Sequence, residues 1–399
     1  MTTPPDVLDA DDGLAAFRDR FVIDDDLVAY LDGNSLGRLP KSTLERLSTF
    51  VRDEWGGRLI RGWAESWVDL AVTVGDELGT ALLGAAPGQT VVADSTSVCL
   101  YKLLHAAAGL QPGRDEIVID ATNFPTDRYL VESVAKSRGM TVRWVHPDLV
   151  ENVTVDVLET VLGEQTAVVV LSHVDYRSGA LLDLPALTAA VHEAGAVVIW
   201  DLCHSAGVVP VDLDAARADF AVGCTYKYIN AGPGAPAFVY VAERHLADAH
   251  QPIAGWWSAA DLFAMSDTYE ESSTIRRLLS GTPPVSGILA VQEGVRLIAE
   301  AGVDAIREKS ERLTAYAIEL LDEAGLEMVT PRDPARRGSH VTVRHPGARA
   351  VTERLVERGV VPDFREPDLV RLGLSPLTTS YGELAAAIGV LAEEATPIG

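Results

Sequence analysis

Between about residues 90 and 240 the chain alternates short apolar runs with helical patterns, and no other feature constrains the fold as strongly. Most of the apolar runs are continuous, as expected for strands that are covered on both faces. The alternation predicts an α/β fold with a mainly parallel sheet. The candidate strands are EIVID at 116–120, TVRWV at 141–145, TAVVVLS at 166–172, GAVVIWD at 195–201, ADFAVG at 218–223 and PAFVYV at 236–241.

Helical patterns fill the gaps between these runs. The segments TDRYLVESVAKSRG and LPALTAAVHEAG each end at a glycine that suits a helix C-cap. In sheets of this kind, ligands bind beyond the carboxyl ends of the strands. Polar residues that directly follow a strand are therefore the first candidates for a functional site.

After about residue 285 the pattern changes. Apolar residues at helical spacing predict one long amphipathic helix that links two domains, and the remainder predicts a small α+β domain with strands at 340–345 and 368–374. We expect a large domain at 50–285 and a small domain made of 1–49 and 286–399.

Composition limits the classes of partner. The formal net charge of -25 disfavours nucleic acid, because a phosphate backbone would be repelled. The acidic first residues are unlike a signal peptide, and no apolar run reaches the roughly 18 residues that a membrane span needs. Cys99, Cys203 and Cys224 form no C-x-x-C pair and are interpreted as reduced thiols. We expect a cytoplasmic protein with neither a membrane nor a metal among its partners.

Asp201 and Lys227 are the two residues that point to a specific chemistry. Asp201 ends the run GAVVIWD, and Lys227 follows another predicted strand within CTYKYINAGPG, residues 224–234. An N-cap for the next helix would explain Asp201 alone, and a buried ion pair would explain Asp201 and Lys227 together. A desolvated lysine beside an acid also suits pyridoxal phosphate, which needs an amine for its aldehyde and an acid for its ring nitrogen.

Other predicted strand ends are also polar. Ser95, Thr96 and Ser97 precede a helical pattern, where hydroxyl and backbone N–H groups can bind a phosphate. NFPTD at 123–127 follows EIVID, so Phe124 could stack on a flat cofactor, although a turn with a helix cap is the simpler interpretation. Ser172 and His173 end the run TAVVVLS.

Together these motifs resemble the kynureninase family, whose members are pyridoxal-phosphate hydrolases with the fold type I, or aspartate-aminotransferase, architecture. The resemblance runs over nearly the whole chain, and it depends on a set of motifs in a fixed order rather than on any one of them. The set comprises YLDGNSLGRLP at 30–40, RGW at 61–63, NFPTD at 123–127, LSHVDYRSGALLD at 171–183, WDLCHSAG at 200–207, the lysine segment, GWW at 255–257, GTPP at 281–284 and VRLGLSPL at 370–377.

The resemblance implies a large domain with a seven-stranded, mainly parallel sheet, and it implies roles for individual residues. Lys227 would bind pyridoxal 5′-phosphate covalently, Asp201 would pair with the pyridine nitrogen, and Phe124 would stack on the ring. The rest of the cofactor pocket would be Thr96, Ser97, Asp127, Ser172, His204 and Tyr226, with Trp256 and Thr282 supplied by the second subunit of a homodimer. Arg371 would bind the substrate α-carboxylate, and Asn34, Ser35, Trp63 and Gly281 would line the rest of the substrate site.

The implied reaction is hydrolysis of the Cβ–Cγ bond of L-kynurenine to anthranilate and L-alanine, a step of tryptophan degradation. Lys227 would act as the base at Cα, and Tyr226 would move protons at the carbonyl. Trp63 with Gly281 and Thr282 matches members that prefer kynurenine to 3-hydroxykynurenine. Cys99 departs from the family pattern, in which asparagine is common at this position.

Several alternatives remain at the level of sequence. A class V aminotransferase would share Lys227 and Asp201 but would not need the GNSLG, RGW and GTPP motifs. A cysteine desulfurase is disfavoured, because its nucleophilic cysteine lies late in the chain and none follows Cys224 here. A relative that acts on a substituted kynurenine, or an inactive homodimeric binding protein of the same fold, is also compatible with the motifs.

Overall fold

A seven-stranded sheet forms the centre of the protein, in a computed structural model that describes residues 3–24 and 26–395. The strand order is β2-β8-β7-β6-β5-β3-β4, and only β8 runs antiparallel to its neighbours. This confirms the predicted fold class. The strands of the described chain are Ala29–Tyr30 (β1), Thr90–Ala93 (β2), Glu116–Asp120 (β3), Thr141–Val145 (β4), Thr166–Ser172 (β5), Val197–Asp201 (β6), Phe220–Gly223 (β7), Ala237–Val241 (β8), His340–Arg344 (β9), Val360–Val361 (β10), Asp363–Arg365 (β11) and Leu369–Gly373 (β12).

Helices of very different length connect the strands. The α-helices are Pro5–Ala10 (α1), Lys41–Thr49 (α2), Gly56–Arg58 (α3), Leu70–Leu82 (α4), Thr96–Gly109 (α5), Pro125–Arg138 (α6), Val155–Glu159 (α7), Leu184–Glu193 (α8), Glu243–Leu246 (α9), Val285–Ala301 (α10), Val303–Glu323 (α11), Ala348–Glu357 (α12) and Tyr381–Ala395 (α13). Short 3₁₀ segments lie at Ala15–Arg20, Trp256–Ser258, Ile275–Leu278 and Pro334–Arg336, and π-helical turns at Phe50–Trp55 and Trp63–Trp67.

Burial explains the continuous apolar runs of the sequence. Every residue of β3, β6, β7 and β8 is buried, which is the pattern of strands covered on both faces. The carboxyl ends of β5 and β6 lie level, because Ser172 pairs with Asp201, and Asp201 in turn pairs with Val222 of β7. The fold therefore brings several strand-end side chains to one edge of the sheet.

A second, smaller hydrophobic core surrounds the antiparallel sheet β11-β12-β9. Residues of α11, α12 and α13 pack in it, and so do Ala29 and Leu31 from the start of the chain, where β1 pairs with β10. Leu14 and Phe21 pack in the core of the large sheet instead. The N-terminal segment therefore contributes side chains to both cores.

The long amphipathic helix expected after residue 285 is α10, and a second long helix, α11, follows it. α10 ends at Ala301 and α11 begins at Val303, and Gly302 between them has φ of 81°. Only glycine adopts such a conformation readily, so the backbone changes direction here.

Candidate active site

A pocket lies at the carboxyl ends of the parallel strands and contains about 630 Å³ of space free of protein atoms, part of it open to solvent. It brings together residues from β5, β6, the loop after β7 and the first turns of α5 and α6. All nine residues that the sequence assigned to the cofactor pocket within one chain line it: Thr96, Ser97, Phe124, Asp127, Ser172, Asp201, His204, Tyr226 and Lys227.

The loop that carries Lys227 is held tightly by the N-terminal segment. The Gly37 amide donates to the Tyr226 carbonyl at 2.8 Å. A β-carbon on Gly37 would lie 2.2 Å from the Lys227 carbonyl oxygen, so only glycine fits at this contact. Asn230, with φ of 60°, turns the chain away from the pocket. Gly37, the second glycine of the GNSLG motif, thus fixes the position of the Lys227 loop.

His204 lies between Lys227 and Asn34. Its Nε2 is 3.0 Å from Lys227 Nζ and 3.1 Å from the Asn34 carbonyl oxygen. Burial, together with the positive charge of Lys227, holds the pKa of His204 well below its usual value, so the ring is neutral. In the tautomer with a bare Nε2 the neutral ring accepts from Lys227 and orients its side chain, whereas in the other tautomer Nε2 donates to the Asn34 carbonyl.

The carboxyl groups of Asp127 and Asp201 lie next to each other in the pocket wall. Asp201 Oδ1 accepts from the Cys203 amide at 2.8 Å. Burial and the adjacent Asp201 raise the pKa of Asp127 well above its usual value, so Asp127 keeps its proton near neutrality. Asp127 Oδ2 is buried and has no hydrogen-bond partner. This site can therefore hold a protonated ring nitrogen beside Asp201.

The start of α5 provides the donors that a phosphate needs. Ser95 caps the helix by accepting from the Val98 amide, and Thr96 and Ser97 form its first turn at the pocket wall. Cys99 lies deeper, fully buried, and donates to the Ala93 carbonyl at 3.2 Å. The unusual residue at position 99 therefore packs behind the helix terminus and does not line the pocket.

The remaining walls provide a flat apolar surface and a hydroxyl. Phe124 is half-exposed to the pocket, and its ring lies 5.9 Å from Lys227 Nζ. Burial raises the pKa of Tyr226, so its hydroxyl keeps its proton near neutrality. An amine, an acid pair, phosphate donors and an aromatic face are the groups that pyridoxal phosphate requires, and the pocket therefore fits that cofactor.

Arg371 lies on β12, the central strand of the small sheet, and is 1% exposed. It donates to the Tyr176 carbonyl at 2.7 Å, to Ser35 Oγ at 2.8 Å and to Asp363 Oδ2 at 2.5 Å. Asn34 is fully buried, and its side-chain amide has no partner. Ser35 and Arg371, which the sequence assigned to the substrate site, are therefore in direct contact.

The other assigned substrate and cofactor residues form a separate group. Trp63 packs against Trp257 with ring centroids 5.1 Å apart, and Trp256 packs against Trp257 at 4.6 Å. The Trp257 amide donates to the Ser280 carbonyl at 3.0 Å, next to Gly281 and Thr282. None of Trp63, Trp256, Gly281 and Thr282 lines the pocket of their own chain, and the last three are exposed.

Sequence reasoning missed some residues of the pocket and its surroundings. Thr126, Val174, Tyr176 and Cys203 also line the pocket. Asp363 was missed although it contacts Arg371, because only the pairing of β11 with β12 places them opposite each other. Cys203 could have been found from its position two residues after Asp201. The described residues contain no cluster of side chains suited to a metal ion, and none of their helices is long and apolar enough to cross a membrane.

Comparison with known proteins identifies the family. The model of the aminotransferase class-V family matches residues 29–360. A kynureninase of Pseudomonas fluorescens is 43% identical over 406 residues, which covers 98% of this chain and 95% of the relative. A kynureninase of Deinococcus radiodurans is 44% identical over 399 residues, which covers 97% and 94% respectively.

Solved structures agree on the fold. The cysteine desulfurase CsdA of Escherichia coli superimposes with a TM-score of 0.83 at 18% identity and covers 96% of this chain and 98% of its own. An apo cysteine desulfurase from Thermococcus onnurineus NA1 gives a TM-score of 0.79 at 20% identity and covers 99% of each chain. At such low identity these likenesses establish the architecture alone. The high identity to kynureninases over almost the entire chain decides the family: the chain belongs to the kynureninases, within the class-V aminotransferases.

Proposed function

We propose that this enzyme hydrolyses the Cβ–Cγ bond of L-kynurenine to anthranilate and L-alanine with pyridoxal 5′-phosphate as its cofactor. The observation that carries the proposal is the arrangement of Lys227, His204, Asp201 and Asp127 around one pocket, in a chain 43% identical to a kynureninase. The same reaction places the enzyme in tryptophan degradation. The fold of desulfurases does not favour desulfurase activity here, because the sequence has no cysteine after Cys224.

Each residue of the pocket has a proposed task in binding. Lys227 would hold the cofactor covalently, and Asp201 would keep a proton on its ring nitrogen. Thr96 and Ser97 donate to the phosphate, and Phe124 packs on the ring. Ser172 and His204 would complete the walls, and Asp127, which keeps its own proton, lies beside Asp201. When bound, the cofactor supplies an electron sink that makes the substrate Cα–H bond acidic.

The protein side chains then move protons at defined atoms. The Lys227 amine would be the base that removes the proton from the substrate Cα. Tyr226 keeps its proton and is placed in the same pocket, so it donates to the γ-carbonyl oxygen as water adds there. Arg371 binds the α-carboxylate through its guanidinium fork, and Asn34 and Ser35 lie beside it.

A shared active site in a homodimer explains the second group of residues. Trp63, Trp256, Gly281 and Thr282 lie together but away from the pocket of their own chain. Large apolar side chains are exposed in the neighbouring segments, as a subunit interface requires. These are Trp55, Leu59, Ile60, Phe263 and Met265. We propose that Trp256 and Thr282 reach the cofactor phosphate of the partner, and that Trp63 and Gly281 line its aryl site.

The proposal extends to substrate choice and cellular location. Trp63, Gly281 and Thr282 follow the pattern of members that prefer kynurenine, so 3-hydroxykynurenine should be the poorer substrate. Cys203 and Cys224 are in contact but remain free thiols, which suits a reducing compartment such as the cytoplasm.

The covalent role of Lys227 can be tested with the purified enzyme. The wild type should show a visible absorbance band that sodium borohydride bleaches, leaving a reduced cofactor whose mass maps to the peptide containing Lys227. The variant Lys227→Ala should lose the covalent label and all but a trace of kynurenine hydrolysis. Lys136→Ala, a change at an exposed lysine of α6, should behave as wild type. A label that persists in Lys227→Ala would refute the assignment.

A further inference from the structure

Cys203 and Cys224 are far apart in sequence but in contact in space. Asp201 of β6 pairs with Val222 of β7, and each cysteine lies two residues beyond its member of that pair. The Cys224 amide donates to Cys203 Sγ at 3.2 Å, and Cys224 Sγ lies 3.9 Å from the Cys203 carbonyl oxygen. Adjacent positions at the ends of neighbouring strands are within the Cα separation that a disulfide tolerates.

The environment of the pair favours reaction. The hydrogen bond from Cys203 to Cys224 raises the pKa of Cys203 most, and burial raises it further. Burial would also raise the pKa of Cys224, but the Cys203 thiol and the positive charge of Lys227 lower it below the usual value. Cys224 is therefore the better thiolate of the two. Cys203 lines the pocket, which gives small solutes a path to the pair.

We propose that Cys203 and Cys224 are a modification site that forms a reversible disulfide when hydrogen peroxide enters the pocket. The Cys224 thiolate attacks one peroxide oxygen, the O–O bond breaks, and the departing hydroxide takes a proton to become water. The sulfur of Cys203 then attacks the sulfenic sulfur of Cys224, and the second oxygen leaves as water. Two thiols lose two electrons and two protons, and one peroxide is reduced to two waters.

The disulfide would act on the site through its backbone contacts. The Cys203 amide holds Asp201 Oδ1, and Cys224 is three residues before Lys227. Drawing the two sulfurs to bonding distance shifts both segments. Since small displacements of catalytic groups are costly, kynurenine hydrolysis should fall about tenfold or more in the oxidised enzyme. A thiol reductant should restore it.

Thiol counting on the cofactor-loaded enzyme tests the proposal. After peroxide treatment, quenching and unfolding, one of the three cysteines should still react with a thiol reagent. Peptide mapping without reductant should find the Cys203 and Cys224 peptides joined, two hydrogen masses lighter than their sum. Dithiothreitol should return the count to three. This readout does not involve kynurenine, so it stands even if the proposed function fails.

Matched variants separate this disulfide from general oxidation. Cys99 is fully buried behind α5, so Cys99→Ser should form the same disulfide and leave no free thiol. Cys203→Ser should form no disulfide, so peptide mapping without reductant should find no linked peptides in this variant. The proposal is overturned if all three thiols survive treatment, if Cys99 is found in the linked pair, or if the linkage joins two chains.

Discussion

Arg371 illustrates how single residues of the site are prepared for the substrate. The guanidinium is buried and already faces a carboxylate, that of Asp363, with Ser35 beside it. Its Nε atom has no hydrogen-bond partner. A buried arginine with an unused N–H donor can bind a second carboxylate without leaving its position. The side chain is thus oriented before the substrate arrives.

Replacing Arg371 by lysine tests whether carboxylate binding needs the paired N–H donors of the guanidinium group. Arg371→Lys keeps the charge but loses the planar pair of donors, so we expect KM for L-kynurenine to rise by about tenfold or more, with a smaller fall in kcat. Arg344→Lys, on the neighbouring strand β9 in an exposed ion pair with Glu327, is the control and should leave KM unchanged. An unchanged KM in Arg371→Lys would exclude Arg371 from carboxylate binding.

Residue types at strand ends predicted many of the side chains that line the pocket. Asp201 ends a buried strand and Lys227 follows another, and both were identified because burying an unpaired charge is costly. Asp363 and the contact between Cys203 and Cys224 were not found, because they depend on which strands are neighbours and in what register. Spacing along the chain does not contain that information.

Among the elements, α10 packs against the lysine loop with almost no space between the two backbones. A β-carbon on Gly294 would lie 1.8 Å from the Ile229 carbonyl oxygen, two residues after Lys227. Gly389, in α13, has no atom within 4 Å of its would-be β-carbon and is exposed. Close packing therefore requires glycine at position 294, whereas position 389 has room for a side chain.

These glycines give a matched pair of substitutions. Gly294→Ala should destabilise the protein by about 2 kcal/mol or more and lower cofactor affinity, because helix and loop must separate. Gly389→Ala should stabilise α13 by about 0.5–1 kcal/mol, since alanine has the better helix propensity. Urea unfolding measures both, and a neutral or stabilising Gly294→Ala would contradict the close packing described here.

Asp219 joins several elements next to the N-terminal ends of β6 and β7. It accepts from the Val198 amide at 2.9 Å and contacts Arg244, His192 and His245 at 2.6–2.8 Å. Burial alone would raise its pKa, but hydrogen bonds from the two histidines and from the Val198 amide lower it well below the ordinary 3.8. The folded state therefore holds this carboxylate ionised more firmly than the unfolded chain does.

Asp219→Asn should lower the free energy of unfolding by about 3 kcal/mol at pH 7, because the buried carboxylate and its hydrogen bonds with Arg244, His192 and the Val198 amide are lost. The folded pKa lies below the unfolded value, so this contribution is present above pH 3.8 and is lost as the pH falls below it. The difference between wild type and variant should therefore shrink below that pH in urea unfolding. Asp322→Asn, in an exposed pair with Arg332, should change stability by less than about 0.5 kcal/mol.

At the scale of the whole molecule, the proposed homodimer divides each active site between two chains. The sequence could suggest this only through the resemblance, because Trp256 and Thr282 carry no signal that they act in a partner. In the structure both are exposed, neither lines the pocket, and Trp256 packs against Trp257, which also contacts Trp63. A pocket that lacks these residues in one chain can be completed by another.

Subunit mixing tests that division. Lys227→Ala and the double variant Trp256→Ala/Thr282→Ala should each be nearly inactive as homodimers. After joint unfolding and refolding with cofactor, random pairing makes half of the dimers hybrids with one intact site, so about a quarter of wild-type activity should return. Mixing Lys227→Ala with wild type controls for refolding yield. Full absence of recovery, with hybrids present by mass spectrometry, would place all site residues in one chain.

The most direct test of the central claim is the product analysis of L-kynurenine incubated with the cofactor-loaded enzyme. We expect anthranilate, followed by its fluorescence, and L-alanine in equal amounts, with no added keto acid and with slower turnover of 3-hydroxykynurenine. An enzyme that releases no anthranilate, or that consumes kynurenine only when a keto acid is supplied as amino acceptor, would contradict the proposed hydrolysis and favour an aminotransferase.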